Sequence, residues 1–261
     1  HKIITRLSNT IKIIATFSVG YEHFDLNSAK IKGITVTNTP DVVTESTADT
    51  AMLLILAAAR RAREAFSMIV SDNWKGWTPT QLLGIQPGGR RLGILGMGRI
   101  GRAVAKRARS FGMEIHYHNR KKLSAQLEKG AIYHGTSAEL FKISDFLSIN
   151  CELTKETSKL LNHETINLLP ENPIIVNTSR GGVIDDKALI SALKSGRIFA
   201  AGLDVFDGEP YINRDYRLLE NVFLFPHIGS ATVDTRNAMG FRALDNIDAY
   251  FNNDEPKDKL V

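Results

Sequence analysis

Three polar residues follow apolar stretches that are typical of buried strands, and together they could reduce a carbonyl group. They are Arg180 in IIVNTSRGGVID, Glu209 in AAGLDVFDGEP and His227 in VFLFPHIGSAT. An arginine can bind a carboxylate through two hydrogen bonds, and an imidazole can donate a proton near neutral pH. A glutamate beside the imidazole fixes its tautomer. Each residue alone is ordinary, but the set is suited to holding a small acid and protonating its carbonyl oxygen.

The stretch RLGILGMGRIG has the glycine pattern of a dinucleotide-binding turn. Gly96 permits a tight turn after a strand, Gly98 lets the backbone approach a pyrophosphate, and Gly101 lets the next helix pack closely. That helix starts near Arg99, and its first amides, including that of Ile100, point toward the phosphates. The pattern alone is a weak signal, but the apolar segment before it and the amphipathic segment after it support the prediction.

The segment HNRKK, at the end of the next predicted strand, lacks the acid that usually binds the cofactor ribose. Asn119 stands where that acid is expected, and Arg120 and Lys121 follow it. An asparagine does not repel a 2′-phosphate, and two cations attract one. The sequence therefore favours NADP(H), while NAD(H) stays possible. A solvated basic loop without a ligand is the structural alternative.

Short apolar segments alternate with amphipathic ones, which predicts an α/β fold with a doubly wound, mostly parallel sheet. One long helix is predicted over 47–69, with Ser46 and Asp49 at its start, and another over 232–251. The predicted strands are 11–19, 33–38, 92–96, 114–118, 146–150, 174–177, 200–204 and 222–225. Parallel strands share one carboxyl edge, so we expect the polar residues that follow the later strands to converge there.

The two long helices bracket the dinucleotide-type region, which predicts two domains. A cofactor domain spans 43–233, and the chain ends, 1–42 and 234–261, form a discontinuous second domain. Only two strands are visible in the second domain. Because two strands cannot bury their own faces, we expect this domain to be incomplete.

Composition excludes several classes of protein. The chain has 261 residues, of which 43% are hydrophobic, so it can bury a core. The single cysteine, Cys151, excludes a disulfide framework and indicates a reducing compartment. The longest apolar run, 51–59, is too short to cross a bilayer, and the net charge of +5 is dispersed. We expect a cytoplasmic protein with a small anionic ligand, and no nucleic-acid partner, membrane contact or metal ion.

In combination, the motifs resemble those of the D-2-hydroxyacid dehydrogenase family, most closely its glyoxylate/hydroxypyruvate reductase branch. The resemblance runs from about Ile11 to Phe251. Its motifs, in the family's order, are SVGYEHFD, TPDVVTESTADTAMLLILAAARR, LGILGMGRIG, VNTSRGGVIDDKAL, GLDVFDGEP and PHIGSAT. It implies a Rossmann cofactor domain beside a flavodoxin-like substrate domain whose usual N-terminal portion is absent here. The implied reaction is hydride transfer between NADP(H) and a small 2-oxo or D-2-hydroxy acid.

The resemblance also implies roles for individual residues. Arg180 would bind the substrate carboxylate and carbonyl, while Glu209 and His227 would form the acid–base pair. The backbone amides of Val19 and Gly20 would bind the substrate carboxylate. Further cofactor contacts are implied for Thr47, Thr178, Asp204 and Ser230, with Asp204 on the nicotinamide amide.

Members of the family usually form a homodimer through the cofactor domain, which implies that the Trp74/Trp77 loop faces a partner subunit. The chain departs from the family at Glu152, where a proline is common. Two alternatives stay open: a dinucleotide-binding sensor that interacts with other proteins, and a catalytically inert fragment. The formate dehydrogenase branch is less favoured because formate has no carbonyl oxygen that needs a proton.

Replacement of Arg120 tests the cofactor prediction. Arg120→Asp should move the ratio of kcat/KM for NADPH over NADH toward NADH by about tenfold, the effect of losing one hydrogen bond to a charged group. Steady-state kinetics with both cofactors measure this ratio. The same charge change at Lys187, in DDKALISAL, should leave the ratio unchanged. An unchanged ratio in Arg120→Asp would contradict the prediction.

Overall fold

The computed structural model describes residues 3–261, which divide into two compact units. The first unit combines the two ends of the chain, up to Ser46 and from Ser230, and the second spans Thr47–Gly229. The strands in this part of the chain are β1 Ile13–Ala15, β2 Thr35–Thr37, β3 Arg91–Leu95, β4 Glu114–His118, β5 Ile132–His134, β6 Phe146–Ile149, β7 Ile174–Asn177, β8 Ala200–Leu203 and β9 Val222–Leu224. The α-helices are α1 Leu26–Ile31, α2 Thr44–Ala59, α3 Ala62–Val70, α4 Arg99–Ser110, α5 Ala125–Glu128, α6 Ser137–Ile143, α7 His163–Ile166, α8 Asp186–Lys194 and α9 Val233–Phe251. Short 3₁₀ helices lie at Ile4–Arg6, Gly181–Val183 and Arg214–Leu218.

The first unit contains a small sheet in which β1 and β2 run parallel. The chain end extends this sheet, because the Leu260 amide donates to the Val36 carbonyl at 2.8 Å and the Val36 amide donates to Val261 at 3.0 Å. The sequence predicted the two strands but missed this tail. Helix α9 is tied to the tail through Arg242, whose guanidinium donates to both carboxylate oxygens of Asp258 at 2.7 Å. Burial alone would raise the pKa of Asp258, but hydrogen bonds from Arg242 and Asn246 hold it below its ordinary value.

The second unit is a seven-stranded parallel sheet in the order β5-β4-β3-β6-β7-β8-β9. This confirms the predicted doubly wound fold, and the order reverses direction between β3 and β6, where such sheets bind ligands. One apolar cluster contains residues of α2 and α4, and another contains residues of α6, α7 and α8. Helix α2 packs tightly on the sheet, since a Cβ added at Gly202 in β8 would lie 2.8 Å from Leu54 Cβ.

The predicted helix 47–69 is wrong in two respects. The chain forms two helices there, and the first begins at Thr44, so Ser46 lies inside it and its hydroxyl donates to the Val43 carbonyl at 3.2 Å. The break results from a competing contact. The amide of Ile85 donates to the Ala59 carbonyl at 2.8 Å, and Arg61 adopts a left-handed conformation with φ 53°. The sequence also missed β5, a three-residue strand at the edge of the sheet.

Candidate active site

The predicted catalytic residues follow neighbouring strands of the second unit. Arg180 comes after β7, Glu209 after β8 and His227 after β9, and these three strands are adjacent and parallel. Their carboxyl ends therefore meet at one edge, as the sequence predicted.

Glu209 and His227 form a hydrogen-bonded pair. His227 Nδ1 lies 2.7 Å from Glu209 Oε2, while Glu209 Oε1 accepts the backbone amide of Phe206 at 2.6 Å. With both carboxylate oxygens engaged, the carboxylate orientation is fixed, and so is the tautomer that carries a proton on Nδ1. The other ring nitrogen, Nε2, is left to exchange a proton with a ligand. The His227 side chain is 54% exposed, which gives a ligand access to it.

A buried carboxylate holds the backbone beneath His227. The His227 amide donates to the Asp204 carbonyl at 2.8 Å, and the amides of Ile228 and Gly229 donate to the Asp204 carboxylate at 2.7 and 2.8 Å. Asp204 is 1% exposed, and burial raises its pKa despite these two hydrogen bonds. His227 itself has φ 56°, a left-handed conformation that histidine adopts more readily than most residues. Thr47 lies beside Gly229, since a Cβ added at Gly229 would be 3.5 Å from the methyl carbon of Thr47.

The loop that carries Arg180 packs against the loop that leads to Glu209. Asn177, which is fully buried, accepts the amide and hydroxyl of Ser179 and donates to the Arg180 carbonyl at 2.9 Å. A Cβ added at Gly181 would lie only 1.8 Å from the Phe206 carbonyl carbon. Only glycine permits this approach, and it joins the two loops. Sequence reasoning did not single out Asn177, although a polar residue directly before the TSR segment was the available signal.

The glycine turn between β3 and α4 has the predicted geometry. Gly96 has φ 95°, and a Cβ there would lie 2.6 Å from the Cys151 amide nitrogen. A Cβ at Gly101 would lie 2.3 Å from the Gly96 carbonyl oxygen, which explains the close packing of α4. A Cβ at Gly98 meets nothing within 4 Å, so the space in front of the helix is open in the part of the chain described. Gly98, the N-cap of α4, makes no side-chain cap hydrogen bond, and the backbone amides at the start of a helix are groups that bind anions.

The loop after β4 carries the predicted phosphate-binding residues. Asn119 Oδ1 accepts the Met97 amide at 2.6 Å, so this side chain supports the glycine turn directly. Lys122 Nζ lies 4.0 Å from Glu128 Oε1. Within residues 3–261, Arg120 and Lys121 form no hydrogen bond or ion pair, and their charges face solvent.

Two buried polar atoms near this edge have no partner among the described residues. They are Oγ1 of Thr178, after β7, and Oδ1 of Asn150, after β6. The backbone of Asn150 lies against Gly96, since a Cβ there would be 2.8 Å from the Asn150 carbonyl carbon. Unpaired buried groups are costly, and a bound ligand would supply their hydrogen bonds. Together with the open space at Gly98, they fit a dinucleotide. The sequence predicted Thr178 but missed Asn150.

Three further predicted residues, Val19, Gly20 and Ser230, belong to the first unit. The carbonyl groups of Val19 and Gly20 accept hydrogen bonds from Asn38 at 2.8 Å and Ser18 at 2.7 Å. Their amides donate to no acceptor among the described residues, which leaves them available to an anion. Ser230 is partly buried and precedes α9, and its carbonyl accepts the Thr232 amide at 2.9 Å.

Residues 3–261 contain neither a membrane-spanning helix nor a cluster of metal ligands. No helix in this range is long and apolar enough to cross a bilayer. No group of three or more histidine, cysteine or acidic side chains in this part of the chain could hold a metal ion.

Comparison with known proteins gives consistent matches. The family model for the NAD binding domain of D-isomer specific 2-hydroxyacid dehydrogenases matches residues 52–229. The chain is 47% identical over 251 residues to a glyoxylate reductase of Thermococcus litoralis, covering 94% of this chain and 76% of that protein. It is 45% identical over 252 residues to a glycerate dehydrogenase of Hyphomicrobium methylovorum, covering 96% and 78%. Among solved structures, it matches the NADPH-dependent glyoxylate/hydroxypyruvate reductase of Sinorhizobium meliloti in complex with NADP and malonate. That match has a TM-score of 0.88 and 37% identity, covering 97% of this chain and 78% of the other.

Replacement of His227 tests the acid–base pair. His227→Ala and His227→Asn should each lower kcat by about 10²–10⁴-fold, because neither side chain can replace the imidazole as proton donor. Asparagine tolerates the left-handed backbone of this position, so its loss of activity would not reflect strain. The Kd for dinucleotide should change little in either variant. As a control, His163→Ala, on the exposed side of α7, should keep full activity. Comparable turnover in His227→Asn would contradict the role.

Proposed function

Because this chain belongs to the D-isomer specific 2-hydroxyacid dehydrogenase family, we propose that it transfers a hydride between NADP(H) and a small 2-oxo or D-2-hydroxy acid. The substrate is of the glyoxylate or hydroxypyruvate type. The observation that carries the proposal is the pair formed by Glu209 and His227 at 2.7 Å, at the edge of the sheet that also bears Arg180.

The side chains divide the work on the substrate. Arg180 binds the substrate carboxylate and carbonyl, and the amides of Val19 and Gly20 donate further hydrogen bonds to the carboxylate. His227 donates the proton from Nε2 to the carbonyl oxygen during reduction and takes it back during oxidation. Glu209 stabilises the protonated imidazole through Nδ1. The amides of Val19 and Gly20, which have no acceptor among the described residues, and the hydrogen-bonded carboxylate of Glu209 support these roles.

The cofactor, when bound, supplies or accepts the hydride at its nicotinamide ring. The glycine turn at Gly96, Gly98 and Gly101 and the first amides of α4 would hold the pyrophosphate. The unpaired oxygens of Thr178 and Asn150 add two hydrogen-bonding groups. Asp204, Thr47 and Ser230 would contact the nicotinamide side. Each carboxylate oxygen of Asp204 accepts one backbone amide. Its second lone pair can accept a hydrogen bond from the cofactor.

NADP(H) is the preferred cofactor in this proposal. Asn119 places no negative charge at the ribose, and Arg120 and Lys121 form no hydrogen bond or ion pair in the described part of the chain. The Sinorhizobium meliloti relative that is described as NADPH-dependent supports the same preference. Because Lys122 lies beside Glu128, it contributes less than its two neighbours.

We further propose that two copies of the chain associate through the second unit. Helix α3 has no buried residue, and several apolar side chains on it and on the following loop are exposed. These are Phe66 at 70%, Ile69 at 60%, Val70 at 68%, Trp74 at 53% and Trp77 at 80%. An apolar patch of this kind favours a protein interface, and a second copy fits the dimer that the family resemblance implies. A cytoplasmic location stays a prediction of the sequence.

Turnover of this chain tests the reaction. When glyoxylate or hydroxypyruvate is added, we expect oxidation of NADPH, measured as the loss of nicotinamide absorbance. Oxidation of NADH should be slower. Absence of turnover with every combination, while NADPH still binds in a titration, would contradict the enzymatic proposal. That outcome would favour the sensor or the inert fragment.

The association state tests the dimer. Sedimentation velocity should give a dimer for the unmodified chain and a monomer for the double variant Phe66→Ser, Ile69→Ser, which removes the apolar contact area. Phe251→Ser serves as a control because Phe251 is 67% exposed and lies in the first unit. A dimer that persists in the double variant would rule out this surface.

A further inference from the structure

The basic loop Asn119–Leu123 is held at both ends by tyrosines that the proposed reaction does not use. The loop lies between β4 and α5 and carries Arg120, Lys121 and Lys122. The role of these cations rests on the NADP(H) preference proposed for this chain, because the 2′-phosphate is the group that they would bind. The chain's own residues hold the backbone that carries these cations in place.

Tyr117 fixes the exit of the loop. Its side chain is fully buried, and its hydroxyl accepts the Leu123 amide at 3.0 Å and donates to the carboxylate of Glu128. Burial, followed by the Glu128 hydrogen bond, raises the pKa of Tyr117 to about 12, so the hydroxyl keeps its proton at neutral pH. One hydroxyl group therefore connects the loop backbone to a carboxylate in α5.

The entry of the loop is fixed by a second tyrosine and by the glycine turn. The Tyr133 hydroxyl donates to the Asn119 carbonyl at 3.3 Å, and the Asn119 side chain accepts the Met97 amide at 2.6 Å. The rings of Tyr117 and Tyr133 lie 5.3 Å apart between centroids and pack against each other. Both ends of a five-residue segment are thus fixed to the body of the unit, and little freedom remains in the backbone between them.

The charges of the loop are not equivalent. Glu128, which anchors Tyr117, also lies 4.0 Å from the Lys122 ammonium and is only 12% exposed. Arg120 and Lys121 have no such partner in residues 3–261. Arg120 acts electrostatically on the exposed Glu156, whose pKa is lowered first by Thr154 and more weakly by Arg120. Glu128 therefore interacts with Lys122 and Tyr117, while Arg120 and Lys121 remain available to bind the 2′-phosphate.

We propose that Tyr117 is a positioning residue for recognition of the NADP(H) 2′-phosphate. Its hydroxyl fixes the backbone that carries Arg120 and Lys121, so only their side chains, and not the loop backbone, have to be ordered when the phosphate binds. Preorganisation of this kind raises affinity by lowering the entropy lost on binding. Because NADH has no phosphate at this place, the effect is specific to the phosphorylated cofactor.

Equilibrium binding to the full chain tests this role. In isothermal titration, Tyr117→Phe should raise the Kd for NADPH and for adenosine 2′-monophosphate about tenfold, while the Kd for NADH and adenosine 5′-monophosphate changes less than about twofold. Tyr216→Phe is the matched control. Tyr216 is 1% exposed, and its hydroxyl donates to Asp186 at 2.8 Å, so this variant also loses a buried hydroxyl. It should leave the NADPH to NADH ratio unchanged.

A pair of variants at Glu128 separates positioning from charge. Both Glu128→Ala and Glu128→Gln remove a negative charge near Lys122, which by itself strengthens phosphate binding. Only glutamine keeps an acceptor for the Tyr117 hydroxyl. We expect Glu128→Ala to bind NADPH more weakly than the unmodified chain and Glu128→Gln to bind it at least as tightly. This comparison does not depend on the folding of Tyr117→Phe.

The outcomes distinguish the role of Tyr117 from the proposed cofactor preference. If the unmodified chain binds NADPH no better than NADH, the preference is wrong, and the role of Tyr117 falls with it. If the preference holds but Tyr117→Phe keeps the same ratio, or loses both cofactors equally, only the role of Tyr117 is overturned. Equal gains in NADPH affinity in both Glu128 variants would also overturn it, since charge alone would then explain the result.

Discussion

The buried carboxylate of Asp204 connects the ends of β8 and β9, and the geometry of the candidate active site depends on it. It accepts two consecutive amides, those of Ile228 and Gly229, while its own carbonyl accepts the amide of His227. Leaving such amides unpaired would cost about 1–3 kcal/mol each. The three hydrogen bonds hold His227 in a left-handed conformation, and from there its ring reaches Glu209. The hydrogen bond between Glu209 and His227 therefore depends on the backbone at His227 as well as on the two side chains.

At the β3 and β4 end of the same sheet edge, close backbone contacts at glycines determine the geometry. Around β3 and β4, glycines bring segments of backbone together, and side chains then fix the result. Gly96 lies against the backbone of Asn150 and Cys151, and Asn119 accepts the amide of Met97 in the turn. Backbone contacts are suited to a ligand made of phosphates and sugars, because amides bind them without a specific side chain. The sheet order places β3 beside both β4 and β6, so one turn serves both sides of the switch point.

The elements of this fold were largely predictable because most strands are buried on both faces and read as continuous apolar runs. Eight strands and the final helix appear within a few residues of the predicted positions. The errors lie where tertiary contacts decide. Nothing local in the sequence marks the break at Arg61, which depends on Ile85, some 24 residues later. Strand β5 has three residues, too few for a pattern, and the C-terminal pairing with Val36 depends on a strand far away in the chain.

The candidate site shows the same division between local pattern and distant contact. Arg180, Glu209 and His227 could be named from residue type and from their position after apolar segments. Asn177 and Asn150 could not, because their importance depends on which backbone groups surround them. Asn177 orders the Arg180 loop, and Asn150 holds an unpaired oxygen beside the glycine turn. The anchoring of the basic loop by Tyr117 likewise depends on Glu128, a residue in the following helix.

The contact of Gly181 with Phe206 limits how substrate preference can change. A Cβ at this glycine would lie 1.8 Å from the neighbouring backbone, so the segment with Arg180 and the segment leading to Glu209 are packed in direct backbone contact. A shift of either segment to accommodate a longer acid would press on the other and on the hydrogen bond between Glu209 and His227. Adaptation to new substrates, whether in evolution or in the laboratory, is thereby directed to residues outside these two loops. Sequence diversity that alters selectivity should accumulate there, while the two loops stay nearly constant in length.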